Sequence, residues 1–287
     1  MRMRVKLLAF VWTFGCAVRA FGVPALIAAL SLILAGPVTP QTFTILYSFT
    51  ALASSTNSAG AWSDSDLIIS GDTLYGTAHD GGSWGRGTVF AVNTDGTGFT
   101  NLHSFTAGSG TGSPYGTNSD GAGPSAGLLL SGNTLYGTTY AGGTSGWGTV
   151  FKVNTNGTDF TNLHSFTAKD YNTGANSDGA GPVAGLLLSG NTLYGTASHG
   201  GSTGNGTVFS LSFTPQLTIV PSAANVVLKW PTDYAGFSYA GYTLQSTTNL
   251  GSSAVWSTNS PAPVVLNGQS VVTNSITGSQ QFFRLSH

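Results

Sequence analysis

Two stretches of the chain carry the G-x-S-x-G pattern, at 81–85 and 200–204. A serine nucleophile on that pattern needs a strand, a sharp turn and then a helix to lift its hydroxyl above a sheet. Both stretches fall instead in glycine-rich loops between strand-type segments, and with 41 glycines in 287 residues the pattern arises from composition alone. His103 and His164 occupy matching positions, the kind of recurrence a metal site would show. Each lies on one strand face between phenylalanines, Phe99 and Phe105 or Phe160 and Phe166, and the equivalent residue in the first copy is Tyr47. A position that accepts either ring reads as amphipathic packing at a sheet surface. Asn118, Asp120, Asn176 and Asp178 belong to two N-S-D-G loops. Such oxygen-rich loops hold Ca²⁺ in extracellular proteins, and they also make plain turns. The first copy has Asn57-Ser58-Ala59-Gly60, without the acid. These four residues are the candidate Ca²⁺ ligands, and no other cofactor is expected.

Glycoside hydrolysis would need two carboxyl groups about 5–10 Å apart. All ten acids are Asp, most sit in turns, and none recurs in all three copies within a strand, so no catalytic residue is assigned. Tyr75, Tyr136 and Tyr194 recur in LYGT, and Phe90, Phe151 and Phe209 in GTVF. Both sets read as structural repeat positions, rings packed between sheets.

All of these residues ride on an internal repeat. LYGT occurs at 74–77, 135–138 and 193–196, and GTVF at 87–90, 148–151 and 206–209, so both step by 61 and then 58 residues. LHSF occurs at 102–105 and 163–166, with LYSF at 46–49. One unit decodes into four strands, in the middle copy at 128–130, 134–139, 149–154 and 160–167. Ser131-Gly132-Asn133 and Asn156-Gly157 supply turns that tolerate positive φ. Four short strands in about 60 residues is the pattern of a propeller blade. The array opens with a lone strand at 43–50, aligned with the fourth strand of the other copies, and ends with only three strands, the last at 207–213. The expected fold is therefore all-β: three four-stranded, propeller-blade-like repeats with the N-terminal strand closing the third. Propellers use about four to eight blades, so a β-prism-like body or an open arc are the alternatives. The mismatched ends also allow two chains to share edges, as a homodimer through the repeat edges.

Residues 217–287 leave the repeat. Strands are expected at 217–220, 225–230, 242–247, 255–258, 264–266, 270–273 and 281–285, with Asn267-Gly268 as a hairpin turn. Seven short strands in about 70 residues suggest an immunoglobulin-like or fibronectin-III-like sandwich, with Trp230 and Trp256 in its core. At the other end, residues 1–19 hold four of the nine Lys and Arg, and 20–36 are uncharged and mostly apolar. This reads as a secretory signal cleaved near 36–41, with an uncleaved N-terminal anchor as the alternative. The domains are thus 1–40, 41–213 and 217–287. Beyond the leader, five basic residues face ten acids and form no stripe, which excludes nucleic-acid binding. The single cysteine, Cys16, leaves no intramolecular disulfide.

The unit DGAGPxAGLLLSGNTLYGTT…GGxxGxGTVFKVNTxGTxFTNLHSFT resembles the GloVer tandem-repeat family of bacterial secreted proteins, over about residues 41–213. The resemblance implies a propeller-like secreted or cell-surface structure and brings no catalytic residues with it. Residues 217–287 resemble the sandwich modules that end many secreted bacterial repeat proteins. The expectation is a non-enzymatic structural or binding protein outside the cell or on its surface, in contact with extracellular glycan or a surface protein. The alternative is a polysaccharide-active hydrolase or lyase whose site is built from loops.

Overall fold

The computed structural model describes residues 41–110, 116–259, 261–275 and 280–287. The leader at 1–40 lies outside the described residues. Ile45–His287 packs as one compact unit. Among the described residues every regular element is a strand, so there is no helix long and apolar enough to cross a membrane.

The first repeat forms β1 (Ile68–Ser70), β2 (Thr73–Ala78), β3 (Thr88–Asn93) and β4 (Thr100–Ser104), an antiparallel meander in sequence order. The second repeats it as β5 (Leu129–Ser131), β6 (Thr134–Thr139), β7 (Thr149–Asn154) and β8 (Thr161–Ser165). Both sheets keep the same register, with Gly76 opposite Phe90 and Gly137 opposite Phe151, and the same bulge, after Val89 and after Val150. The Asp-Gly and Asn-Gly turns join the third and fourth strands as expected, with Gly96 at φ 84° and Gly157 at φ 82°. The third repeat has β9 (Leu187–Ser189), β10 (Thr192–Ala197) and β11 (Thr207–Ser212), in the order β11-β10-β9. The blade-like repeats are therefore present, and none of the sheets closes into a barrel.

One expected feature is absent. Residues 43–50 form no strand and do not close the third sheet. Instead Tyr47 stacks on Phe99 with centroids 3.7 Å apart, and Phe49 meets Phe90 edge-on at 5.3 Å, both against the first blade. The physical reason is the blade count: these rings pack on the next sheet, as the fourth-strand rings of the other copies do, but pairing with the third sheet would require three blades to turn a full circle, fewer than the about four to eight that propellers use.

After Phe213 the chain builds β12 (Thr218–Ser222), β13 (Asn225–Pro231), the short hairpin β14 (Asp233–Tyr234) and β15 (Phe237–Ser238), then β16 (Thr243–Thr247), β17 (Ser257–Thr258), β18 (Val264–Leu266), β19 (Gln269–Ser275) and β20 (Phe282–Ser286). Apart from that hairpin they form two sheets, β12-β13-β19-β18 and β17-β16-β20. Leu228, Trp230 and Val272 from one sheet and Leu244 from the other share a core, which makes the module sandwich-like. Trp256 is not in that core; it is half-exposed beneath the Arg284 guanidinium, 4.3 Å from the ring centroid.

The β14–β15 hairpin had no counterpart in the sequence reading, and it ties module to repeats. Phe237 stacks on Phe213 at 4.7 Å, and Tyr239, Phe237 and Ala235 share a core with Tyr136, Leu193 and Phe213. The buried Tyr136 hydroxyl donates to the carbonyl of Ala235. Gly236, at φ 88°, brings the hairpin backbone so close that a Cβ there would lie 2.5 Å from that hydroxyl.

Burial pushes the Tyr136 phenol up to about 12 from its ordinary 10.0, outweighing the opposing hydrogen bond with Thr134. A raised folded pKa means that the fold holds the neutral phenol. Its contribution is therefore complete below pH 10 and lost as pH rises from about 10 to about 12. Urea unfolding should show a steeper loss of stability over that window in the wild type than in Tyr136→Phe. The same substitution should lower stability at pH 7 by about 1–3 kcal/mol, because it orphans the Ala235 carbonyl.

Candidate functional site

The recurring side chains meet at the seams between blades. In each GTVF motif the phenylalanine lies across the strand pair from the LYGT glycine, and a Cβ on Gly137 would stand 2.5 Å from the Phe151 ring. The fourth-strand phenylalanine of the preceding copy meets that ring edge-on: Phe49 on Phe90, Phe105 on Phe151 and Phe166 on Phe209, at 5.3, 5.3 and 5.2 Å. In these contacts Phe90 and Phe151 are buried and Phe209 is partly buried; Tyr75 and Tyr136 are buried, whereas Tyr194 on the last blade is exposed.

His103 stacks face to face on Phe160 at 3.7 Å, as amphipathic packing requires. It does more than pack. Its Nε2 lies 3.0 Å from Asp120 Oδ2, and His164 Nε2 lies 2.9 Å from Asp178 Oδ2. Asp120 also accepts from the backbone N–H and the hydroxyl of Thr106, and Asp178 from those of Thr167. Asn118 uses its side-chain oxygen to accept from Gly121 and Gly143, and its amide donates to the carbonyls of Thr106 and Gly121. Asn176 makes the same set with Gly179, Gly201 and Thr167. The structure thus brings Asn118 beside Asp120, and Asn176 beside Asp178, as two loop-to-strand clamps. Among the described residues no three His, Cys, Asp or Glu side chains gather as a metal cluster. The pairing was visible in the sequence in one way: the loop carries Asp where the fourth strand carries His, and Ala59 where it carries Tyr47.

The serines of the two G-x-S-x-G stretches, Ser83 and Ser202, are exposed in loops leading to β3 and β11, with strands rather than helices following. This is not a nucleophile elbow.

A cleft that sequence reasoning missed lies where the two inter-blade loops approach Trp147. Its volume is about 480 Å³, and Ser109, Ser145, Trp147, Lys169, Asp170 and Tyr171 line it. Tyr171 is fully exposed and Trp147 half-buried. Both charges are engaged. Lys169 Nζ sits 3.8 Å over the Trp147 ring. Asp170 Oδ1 accepts from the N–H groups of Asn172 and Thr173 and from the Thr173 hydroxyl. The hydrogen bonds with Thr173, then Asn172, hold this carboxyl below the usual carboxylate range. What remains presented is the Tyr171 ring and the uncovered part of Trp147, with the Ser109 and Ser145 hydroxyls beside them.

Fold and seams define a class: an all-β tandem-repeat protein of blade-like sheets, ending in a two-sheet module. The Gloeobacter/Verrucomicrobia repeat model matches residues 114–250, from the loop before the second blade into the C-terminal module. Over that stretch the chain is similar to this repeat family. No curated protein matches it.

The clamps give a direct expectation. Asp120→Ala should lower stability by about 1–3 kcal/mol by leaving His103 and Thr106 without their acceptor. Adding His103→Tyr, which copies the Tyr47 and Ala59 combination of the first copy, should recover part of that loss in a denaturant titration.

Proposed function

We propose that this protein is an exported, non-catalytic scaffold that binds a neutral extracellular glycan in the Trp147–Tyr171 cleft. The observation that carries the reading is the cleft's chemistry. Tyr171 is fully exposed and Trp147 half-buried beside serine hydroxyls, while the Lys169 ammonium, over the Trp147 ring, and the Asp170 carboxylate are already held by neighbours. Aromatic rings present a large rigid apolar face beside polar groups, the combination that suits a sugar ring. A sparsely charged chain, with charges at 7% of residues, matches a neutral polymer better than an ionic partner. Export is supported by the basic 1–19 and apolar 20–36 leader.

A glycan array with the purified protein tests this. Retention of one or more neutral polysaccharides without release of reducing ends is expected, and Trp147→Ala or Tyr171→Ala should weaken it by roughly tenfold. No retained glycan, or retention indifferent to both substitutions, would refute the cleft as the binding site. Release of reducing ends would identify a polysaccharide-cleaving enzyme instead.

A further inference from the structure

The three blades do not have equivalent neighbours. Within the chain, the face of one blade that carries Tyr75 and Val89 packs on the face of the next that carries Leu128, Leu135 and Val153, and the second and third blades repeat this. Val89 and Val150 are 0% exposed in these seams, while their counterpart Val208 on the third blade is 82% exposed. At the other end Leu128 and Leu186 are 8% and 6% exposed, while their counterpart Leu67 on the first blade is 53% exposed. The two outer faces are thus the two halves of a seam that the chain already builds twice.

The third sheet also has an open edge. Among the described residues β11 pairs only with β10. Beside it lies a cavity of about 130 Å³ lined by Val150, His164, Phe166, Asp178, Phe209 and Leu211. A cavity of roughly 150 Å³ holds a benzene ring. In the two preceding seams the corresponding place is filled by a ring from the start of a fourth strand, or from the turn before it: Phe99 stacks on Tyr47, and Phe160 stacks on His103, both at 3.7 Å. His164 is the next member of that series.

We propose that residues 43–50 of a second copy of this chain supply the fourth strand of the third sheet, so that copies join head to tail. The segment FTILYSFT aligns residue for residue with 99–106 and 160–167. Phe43 takes the position of Phe99 and Phe160, is 91% exposed, and would fill the cavity against His164. Register follows from the completed sheets, where Ala91 pairs Thr100 and Lys152 pairs Thr161. Ser210 therefore pairs Thr44 of the second copy. Phe105 N–H donates to Gly87 O, and Phe166 N–H to Gly148 O. The second copy's Phe49 N–H correspondingly donates to Gly206 O. In the built seams the fourth strand pairs with one sheet through its backbone and packs on the next through its side chains. Tyr47 and Phe49 already make the side-chain half of that contact on their own first blade. Such a joint is heterologous, and it yields a ring where the rotation closes and an open chain where it does not.

The test is a cysteine pair, Thr44→Cys with Ser210→Cys, in a Cys16→Ser background. Both sites are exposed, and register partners across an antiparallel pair have Cα atoms about 4.5–5.5 Å apart, within disulfide reach. Oxidation should give covalent dimers and higher multiples of one chain. A disulfide within a single chain, or free thiols, would overturn the proposal. Light scattering on the unmodified protein gives an independent reading. At least a twofold mass over one chain is expected, falling to a single chain with Val208→Lys, a substitution at an exposed site. A strictly monomeric unmodified protein, or an assembly indifferent to Val208→Lys, would likewise contradict it.

Discussion

The interaction on which the structure depends is a glycine held opposite a phenylalanine. Gly76, Gly137 and Gly195 lie in ordinary extended backbone; their role is space, since a Cβ at each would fall 2.4–2.7 Å from the ring of Phe90, Phe151 or Phe209. The ring folds over the bare backbone and becomes a flat platform on the sheet. The fourth-strand phenylalanine of the preceding copy then meets that platform edge-on, an arrangement favoured by the ring quadrupole. Local register and the contact between blades are therefore one event. LYGT and GTVF recur together because neither motif works without the other.

Because each blade meets only its neighbours, stability is distributed along a line of seams, and the ends of the line are where the sequence must change. At the start, residues 45–50 cover much of the first platform. Near the far end, the hairpin at Asp233–Ser238 wedges beside Tyr136 and Phe213 and joins the C-terminal module to the repeat core. The last blade's outer face and its β11 edge remain available. A surface with few charges suits such a body to contacts made through rings and backbone rather than ion pairs.

Most of the strands were legible in the sequence, because alternation and Asx-Gly turns are local properties. The positions of β2, β3, β6 and β7, and of β13 and β18 in the module, follow from them within a residue or two. The fate of residues 43–50 was not legible. Their pattern specifies a fourth strand, but whether the strand pairs within the chain depends on distances that no local pattern encodes. The Asp233–Ser238 hairpin is too short for periodicity to show. The His103–Asp120 clamp is only half visible: a ring position that accepts His or Tyr is what packing alone would give, and only the loop residue that changes with it, Asp120 or Ala59, marks the hydrogen bond. The Trp147 cleft is assembled from two loops that differ between copies, so repetition, the strongest signal in this chain, points away from it.

The central claim is that the LYGT glycine exists to admit the ring opposite. Gly137→Ala tests it most directly. In an extended strand this substitution should be neutral or stabilising by about 0.4–1 kcal/mol, because alanine has less unfolded-state freedom to lose. The account predicts the opposite sign: a loss of about 1–3 kcal/mol in denaturant unfolding from overpacking against Phe151 and Leu128. It also predicts that Phe151→Leu costs less in the Gly137→Ala background than alone. A neutral or stabilised Gly137→Ala, or strict additivity of the two changes, would contradict it.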